Sequence, residues 1–118
     1  MPRILLIEDE PQHAALVKMR LEANGMQVSC SRTAAAGVAS AQKDRPDLVL
    51  LDLLLPDMRP EEAVKAITRA ADSPILAFTA LDLAEIHRRR LDTQVAGIVT
   101  KPYDPAVLVS EILRLTRK

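Results

Sequence analysis

The sequence predicts an α/β domain: a five-stranded parallel sheet with helices on both faces. Two observations carry that reading. Short apolar runs alternate five times with stretches of helical periodicity, the pattern of successive β–α units joined by right-handed crossovers. One run, Leu48-Val-Leu-Leu-Asp-Leu-Leu-Leu-Pro56, is so rich in Leu and Val that it belongs in an interior, yet it carries Asp52 at its centre. An unpartnered buried carboxylate is costly, so Asp52 calls for a reason to be there.

Each element has its own justification. Ile4–Ile7 is a continuous apolar run, as in a strand buried on both faces. Pro11 to Asn24 reads as a helix, with a proline suited to the first turn, Ala15, Leu16, Met19 and Ala23 at helical spacing, and an Asn24-Gly25 stop. Met26–Cys30 is a weaker strand. Thr33 caps a second helix over Ala34 to Lys43, ended before Pro46. Leu48–Leu51 is the strongest strand, Pro60 to Ala70 the third helix, and Ile75–Phe78 the fourth strand. Asp82 and Glu85 form a capping-box pair at the start of the fourth helix, with Leu83, Leu91 and Val95 as part of its apolar face. Gly97–Thr100 is the fifth strand. Asp104-Pro105 then caps a last helix with Val107, Leu108, Ile112 and Leu115 as its buried stripe.

A length of 118 residues suits one domain, 1–118, without repeat, linker or low-complexity segment. Aromatic residues make up 2% of the chain, so the core must be aliphatic. Sixteen basic and sixteen acidic residues argue against a general nucleic-acid or membrane-surface binder. One cysteine, Cys30, excludes an intramolecular disulfide and a multi-cysteine metal site. The N-terminal apolar run is too short for a signal peptide and no segment could span a bilayer, so a cytoplasmic location is expected.

In a parallel sheet all strand C-termini share one edge, and ligands bind there at a topological switch point. The pattern leaves the strand order open, but it says what collects at that edge. Glu8, Asp9 and Glu10 follow the first run, Asp52 the third, Thr79 the fourth, and Thr100, Lys101 and Pro102 the fifth. Glu8, Asp9 and Asp52 would repel one another. A hard divalent cation, Mg²⁺, and the ammonium of Lys101 are the two available compensations. The set suits phosphoryl transfer, with a carboxylate as nucleophile, Lys101 and the metal offsetting phosphoryl charge, and Thr79 donating a hydroxyl hydrogen bond. Taken singly each residue has a plainer role. The acidic run complements a helix dipole, Asp52 is a cap, Thr79 a turn residue and Lys101 a solvated charge. No helix starts after Asp52, however, and four strand ends deliver acid, acid, hydroxyl and amine to one place.

These residues resemble the receiver domains of two-component response regulators over essentially the whole chain. The motifs are Ile-Leu-Leu-Ile-Glu8-Asp9-Glu10, Pro46-Asp-Leu-Val-Leu-Leu-Asp52-Leu-Leu-Leu-Pro56-Asp57-Met58, Ala77-Phe-Thr79-Ala80 and Thr100-Lys101-Pro102-Tyr103. The resemblance implies a single flavodoxin-like (βα)₅ doubly wound domain with strand order 2-1-3-4-5. It implies a phosphorylation-dependent switch, with Asp52 as phosphoacceptor and a sensor histidine kinase or histidine phosphotransfer protein as donor. It implies Mg²⁺ bound directly by Asp9 and Asp52, through water by Glu8, and by the backbone carbonyl of Leu54. Thr79 would bind the phosphoryl group and Lys101 would bridge to it, with Lys101–Pro102 a cis peptide. The domain would catalyse only its own phosphorylation and dephosphorylation. It would bind no nucleic acid or membrane itself and would be a monomer or weak dimer acting on a downstream effector. It would be either a stand-alone receiver or one cut from a longer regulator.

The sequence departs from the family pattern in three places. Pro60 stands where a glycine is usual, stiffening the loop before the third helix. Ile98 replaces the switch aromatic three residues before the lysine. Ala96 and Gly97 replace an acidic pair, so the charged dimer face of the OmpR/PhoB-like subfamily lacks support. His87-Arg88-Arg89-Arg90 reads first as a solvated helix face; Arg88, Arg89, Arg90 and Tyr103 are offered as a partner surface. Three other functions fit less well. A haloacid-dehalogenase-type phosphohydrolase would need an Asp at position 54, which is Leu54, and a cap domain. A flavodoxin-like electron carrier would set its FMN phosphate against Glu8-Asp9-Glu10. A degenerate receiver would not keep a complete acidic site.

Overall fold

The structure, a computed structural model, describes residues 1–117. Its strands are β1 (Arg3–Ile7), β2 (Gln27–Ser31), β3 (Leu48–Leu51), β4 (Ile75–Thr79) and β5 (Gly97–Thr100). Its helices are α1 (Pro11–Ala23), α2 (Ala34–Asp44), α3 (Pro60–Ala70), α4 (Leu83–Arg88) and α5 (Pro105–Thr116), with one 3₁₀ turn at Leu91–Thr93. The strands form one parallel sheet in the order β2-β1-β3-β4-β5, as the family resemblance implied.

Strand side chains alternate between two aliphatic cores because successive residues point to opposite faces. Leu5, Ile7, Val49, Leu51, Ile75 and Ala77 pack with α2, α3 and Ile86 of α4. Ile4, Leu6, Leu48, Leu50, Leu76 and Phe78 pack with α1 and α5. A strand covered on both faces has no wet side, which is why these runs read as unbroken apolar sequence.

Helix ends follow the expected chemistry. Thr33 accepts the Ala36 N–H at 3.0 Å, Asp82 the Ala84 N–H at 2.8 Å and Asp104 the Ala106 N–H at 2.9 Å. Arg45 closes α2 in the left-handed region at φ 45°. The β3–α3 loop adds a tie: the Asp57 carboxylate accepts the N–H groups of Ala34 and Ala35 at 2.9 and 3.0 Å. These two bonds, foremost that from Ala34, hold the Asp57 carboxyl below its ordinary range.

Several expectations need correction. The buried stripe of α1 is Ala14, Val17 and Leu21, not the expected Ala15, Leu16, Met19 and Ala23. Two apolar stripes overlap on this helix, and only one can face the sheet. The second strand starts one residue later, with Met26 buried just before it. The fourth helix is short: Arg90 takes φ 57° and Leu91 packs from the 3₁₀ turn instead. Leu83 and Val107 are exposed, so neither belongs to a buried face. The Asp82–Glu85 capping box is only half formed, because Glu85 pairs with Arg88.

Candidate functional site at the carboxyl edge of the sheet

β1 and β3 are neighbours, so their C-terminal ends bring Glu8, Asp9 and Asp52 together. The backbone fixes this junction, with the Asp52 N–H donating to the Ile7 carbonyl at 3.1 Å. One carboxylate oxygen of each of the three residues lies within 4.8 Å of those of the other two. Glu8 and Asp52 are buried, while Asp9 is exposed.

The burial of Asp52 is compensated. Its Oδ1 accepts the Leu54 N–H at 2.9 Å and its Oδ2 accepts from Lys101 Nζ at 3.2 Å. Lys101 arrives from the end of β5 and also donates to Glu8 Oε2 at 3.0 Å. Glu8 Oε1 in turn accepts the Glu10 N–H at 3.3 Å. Burial is the foremost influence on the Glu8 carboxyl and pushes it above its ordinary 4.5; Lys101 opposes this and the Asp52 charge reinforces it.

Thr79, the last residue of β4, is fully buried and its hydroxyl accepts the Leu81 N–H at 3.1 Å. Its carbonyl accepts the Lys101 N–H at 2.8 Å, so the threonine and lysine segments are tied through the backbone. The Lys101–Pro102 bond is cis. Glu8, Asp9, Asp52, Thr79 and Lys101 therefore gather at one end of the sheet.

A match to the family model described as "Response regulator receiver domain" extends over residues 4–113. The chain is a response regulator receiver domain. It is 33% identical, over its whole length, to the DNA-binding dual master transcriptional regulator RpaA of Synechocystis sp.. It is also 33% identical over 98% of its length to the phosphate regulon transcriptional regulatory protein PhoB of Escherichia coli. The receiver spans about half the length of these curated relatives, 50% and 52%. Among solved structures it resembles the BeF₃-activated N-terminal receiver domain of Klebsiella pneumoniae RstA, with a TM-score of 0.89 and 26% identity. That match covers 98% of this chain and 99% of the other. The receiver domain of Francisella response regulator 1452, at TM-score 0.89 and 19% identity over 99% and 98% of the two chains, supports the fold. The similarity to PhoB coexists with Ala96 and Gly97 in place of the acidic pair.

As a receiver, the chain is a regulatory module of two-component signalling, whose members take phosphoryl groups from histidine kinases. Its acidic cluster fits the Mg²⁺ that the family normally binds. All three donors are carboxylate oxygens, the ligands a hard divalent ion takes. Lys101 formally offsets one of the three charges, leaving two for a divalent cation. No helix among the described residues is long and apolar enough to cross a membrane.

The proposed partner surface has partners within the chain. Arg89 makes a bidentate pair with Glu61 through Nε at 2.8 Å and a terminal nitrogen at 2.6 Å. Arg88 pairs with Glu85, and His87 Nδ1 lies 2.9 Å from Asp92. Tyr103 packs against Phe78 and His13 beside the site. The sequence reading missed His13 and Phe78. The only sequence signal they offer is rarity, since the chain has two histidines and one phenylalanine.

Proposed function

We propose that Asp52 is the phosphoacceptor of this receiver, taking its phosphoryl group from a sensor histidine kinase or a histidine phosphotransfer protein, with Mg²⁺ bound. The observation that carries the reading is the Asp52 carboxylate at the mouth of β3, on Lys101 Nζ at 3.2 Å and within 4.8 Å of Glu8 and Asp9 oxygens. Asp9, Asp52 and the Leu54 carbonyl would hold the metal, and Glu8 would act through water, its Oε2 already engaged by Lys101. When bound, Mg²⁺ supplies positive charge against the phosphoryl oxygens.

The residues divide the remaining work. A carboxylate oxygen of Asp52 forms the new O–P bond as the donor's P–N bond breaks. The leaving imidazole keeps the electron pair and takes a proton from solvent. Lys101, already between Glu8 and Asp52, turns its ammonium to the acyl phosphate. Thr79 exchanges its contact with the Leu81 N–H for a hydroxyl hydrogen bond donated to the phosphoryl group. Hydrolysis of the acyl phosphate by water returns Asp52, so the domain turns over only its own modification. The phosphorylated state would change the binding of a downstream effector, whether residues 1–118 act alone or within a longer regulator.

Acetyl phosphate with Mg²⁺ tests this directly by intact mass. The wild type should gain one phosphoryl group, whereas Asp52→Asn, or wild type in EDTA, should gain none. Equal labelling of wild type and Asp52→Asn, or labelling indifferent to EDTA, overturns the assignment.

A further inference from the structure

The chain contains one Phe, one Tyr, two His and no Trp. Three of those four rings meet in one place. His13 stacks on Phe78 with centroids 5.4 Å apart and planes 12° apart. Tyr103 tilts against His13 at 5.9 Å and against Phe78 at 5.8 Å. They come from the first turn of α1, the penultimate residue of β4 and the turn before α5. Phe78 is core, fully buried in a layer whose other fully buried members carry no ring, with Tyr103 packed at its margin.

Of the three rings, Phe78 meets Lys101 directly, and the other two pack on Phe78. Lys101 Nζ lies 4.6 Å from the Phe78 ring centroid while donating to Glu8 and Asp52. His13 Nδ1 stands 3.5 Å from Glu8 Oε2, the oxygen that also accepts from Lys101. A lysine is a point charge on a flexible four-carbon stem, so carboxylates alone restrain it loosely. A ring face attracts the ammonium through its quadrupole. Unlike Asp52, whose charge changes when it is modified, the ring presents the same field before and after.

We infer that Phe78, His13 and Tyr103 form an aromatic seat that positions Lys101 between Glu8 and Asp52 for phosphoryl acceptance. The inference rests on the assignment of Asp52 as acceptor. Phe78 supplies the face on which the ammonium lies. His13 braces that ring by stacking, and its Nδ1 stands beside the Glu8 oxygen that shares the lysine. Tyr103 packs against both of the other rings. These are positioning residues: they act through Lys101.

Two measurements test the seat. The first is the NMR signal of the Lys101 ε-methylene, which a ring face shields. It should lie upfield of the other lysines in the wild type and lose that shift in Phe78→Leu. The second is the initial rate of Asp52 labelling by acetyl phosphate with Mg²⁺. Phe78→Leu keeps an apolar side chain and should slow labelling by about 3- to 30-fold, the range of a partly desolvated cation–π contact. His13 is partly exposed, so His13→Leu tests the same seat if Phe78→Leu fails to fold; it should slow labelling, and His13→Phe, which restores a ring, should recover part of the loss. An unshielded Lys101 signal in the wild type, or wild-type labelling rates in folded Phe78→Leu or His13→Leu, overturns the inference. A wild type that does not label at all overturns the acceptor assignment instead, and the Lys101 signal then decides the seat alone.

Discussion

Gly37 lies on the face of α2 that presses on β1. A Cβ at that position would stand 2.8 Å from Ile7 Cγ1 and closer still to Ile7 Cδ1. Ile7 is fully buried and directly precedes Glu8, so it has no free space to retreat into. Gly37→Ala sets two effects against each other. Replacing glycine inside a helix gains about 1 kcal/mol of helix propensity. Overpacking a filled core costs about 1–3 kcal/mol. Since the clash involves two atoms of an immobile side chain, the second effect should win, leaving a net loss of up to about 2 kcal/mol. Ile7→Val removes the nearest atom and by itself should cost about 0.5–1.5 kcal/mol. The double variant should then be more stable than the sum of the two losses by about 1 kcal/mol, the coupling expected of residues in contact. Urea unfolding of all four proteins gives the cycle, provided the slopes agree so that midpoints report stability. Gly37→Ala as stable as wild type, or strict additivity in the double variant, would show that α2 does not depend on a side-chain-free position against β1.

Four further outcomes are expected. Asp57→Ala should cost about 1 kcal/mol, the usual value of a helix cap. Because the folded-state pKa of Asp57 is depressed, that contribution is present above the ordinary 3.8 and fades as pH falls below it; an equal gap between variant and wild type at pH 3 and pH 6 would count against the tie. Glu61 is held at about 2, against an ordinary 4.5, foremost by the Arg89 hydrogen bonds. Thermal unfolding of wild type should therefore weaken between pH 4.5 and about 2 more than that of Glu61→Gln, and parallel pH profiles would contradict the pairing. Asp9→Asn should weaken Mg²⁺ binding more than Glu8→Gln, because Glu8 is engaged by Lys101; a metal titration in the reverse order would exchange their roles. Beryllofluoride with Mg²⁺ should perturb backbone amides at Thr79–Arg90 more than at Ile98, and amide-resolved NMR showing a silent 79–90 segment would place the switch elsewhere.

The strands were legible in the sequence because the physics that buries them is local. Leu48–Leu51 is apolar at every position since both of its faces meet helices. The site residues were legible for a related reason: parallel topology sends every strand C-terminus to one edge, so Glu8, Asp9, Asp52, Thr79 and Lys101 could be gathered without any distance information. The buried face of α1 was not legible. Ala14, Ala15, Leu16, Val17, Met19, Leu21 and Ala23 surround the helix with apolar side chains, and periodicity cannot choose between two overlapping stripes. The ties between elements were also hidden. Asp57 caps a helix that starts 23 residues earlier, and Arg89 meets a carboxylate 28 residues away. Nothing in residue type marks such a partner until the chain is folded.

Ile98 shows how an apparent loss in the sequence acquires a physical counterpart in the fold. Without an aromatic there, the face of the sheet packed against α3 and α4 has no ring to move; Ile98 simply joins the aliphatic cluster on that side. The rings next to Lys101 lie on the opposite face, where Phe78 and Tyr103 pack with α1 and α5. Lys101 touches both Asp52 and Phe78, so a change in charge at Asp52 pulls on a side chain seated on the α1–α5 layer. Thr79 leads from the same site into α4, which is clamped to α3 by Arg89 and Glu61. The site therefore has two mechanical exits, one on each face of the sheet. The clamp opposes movement along the α4 route, whereas no ion pair among the described residues joins α1 to α5. Phosphoryl acceptance can bias only an element whose two states differ in their contacts with the site. On that criterion Tyr103 and the start of α5 are as directly coupled to Asp52 as the start of α4 is.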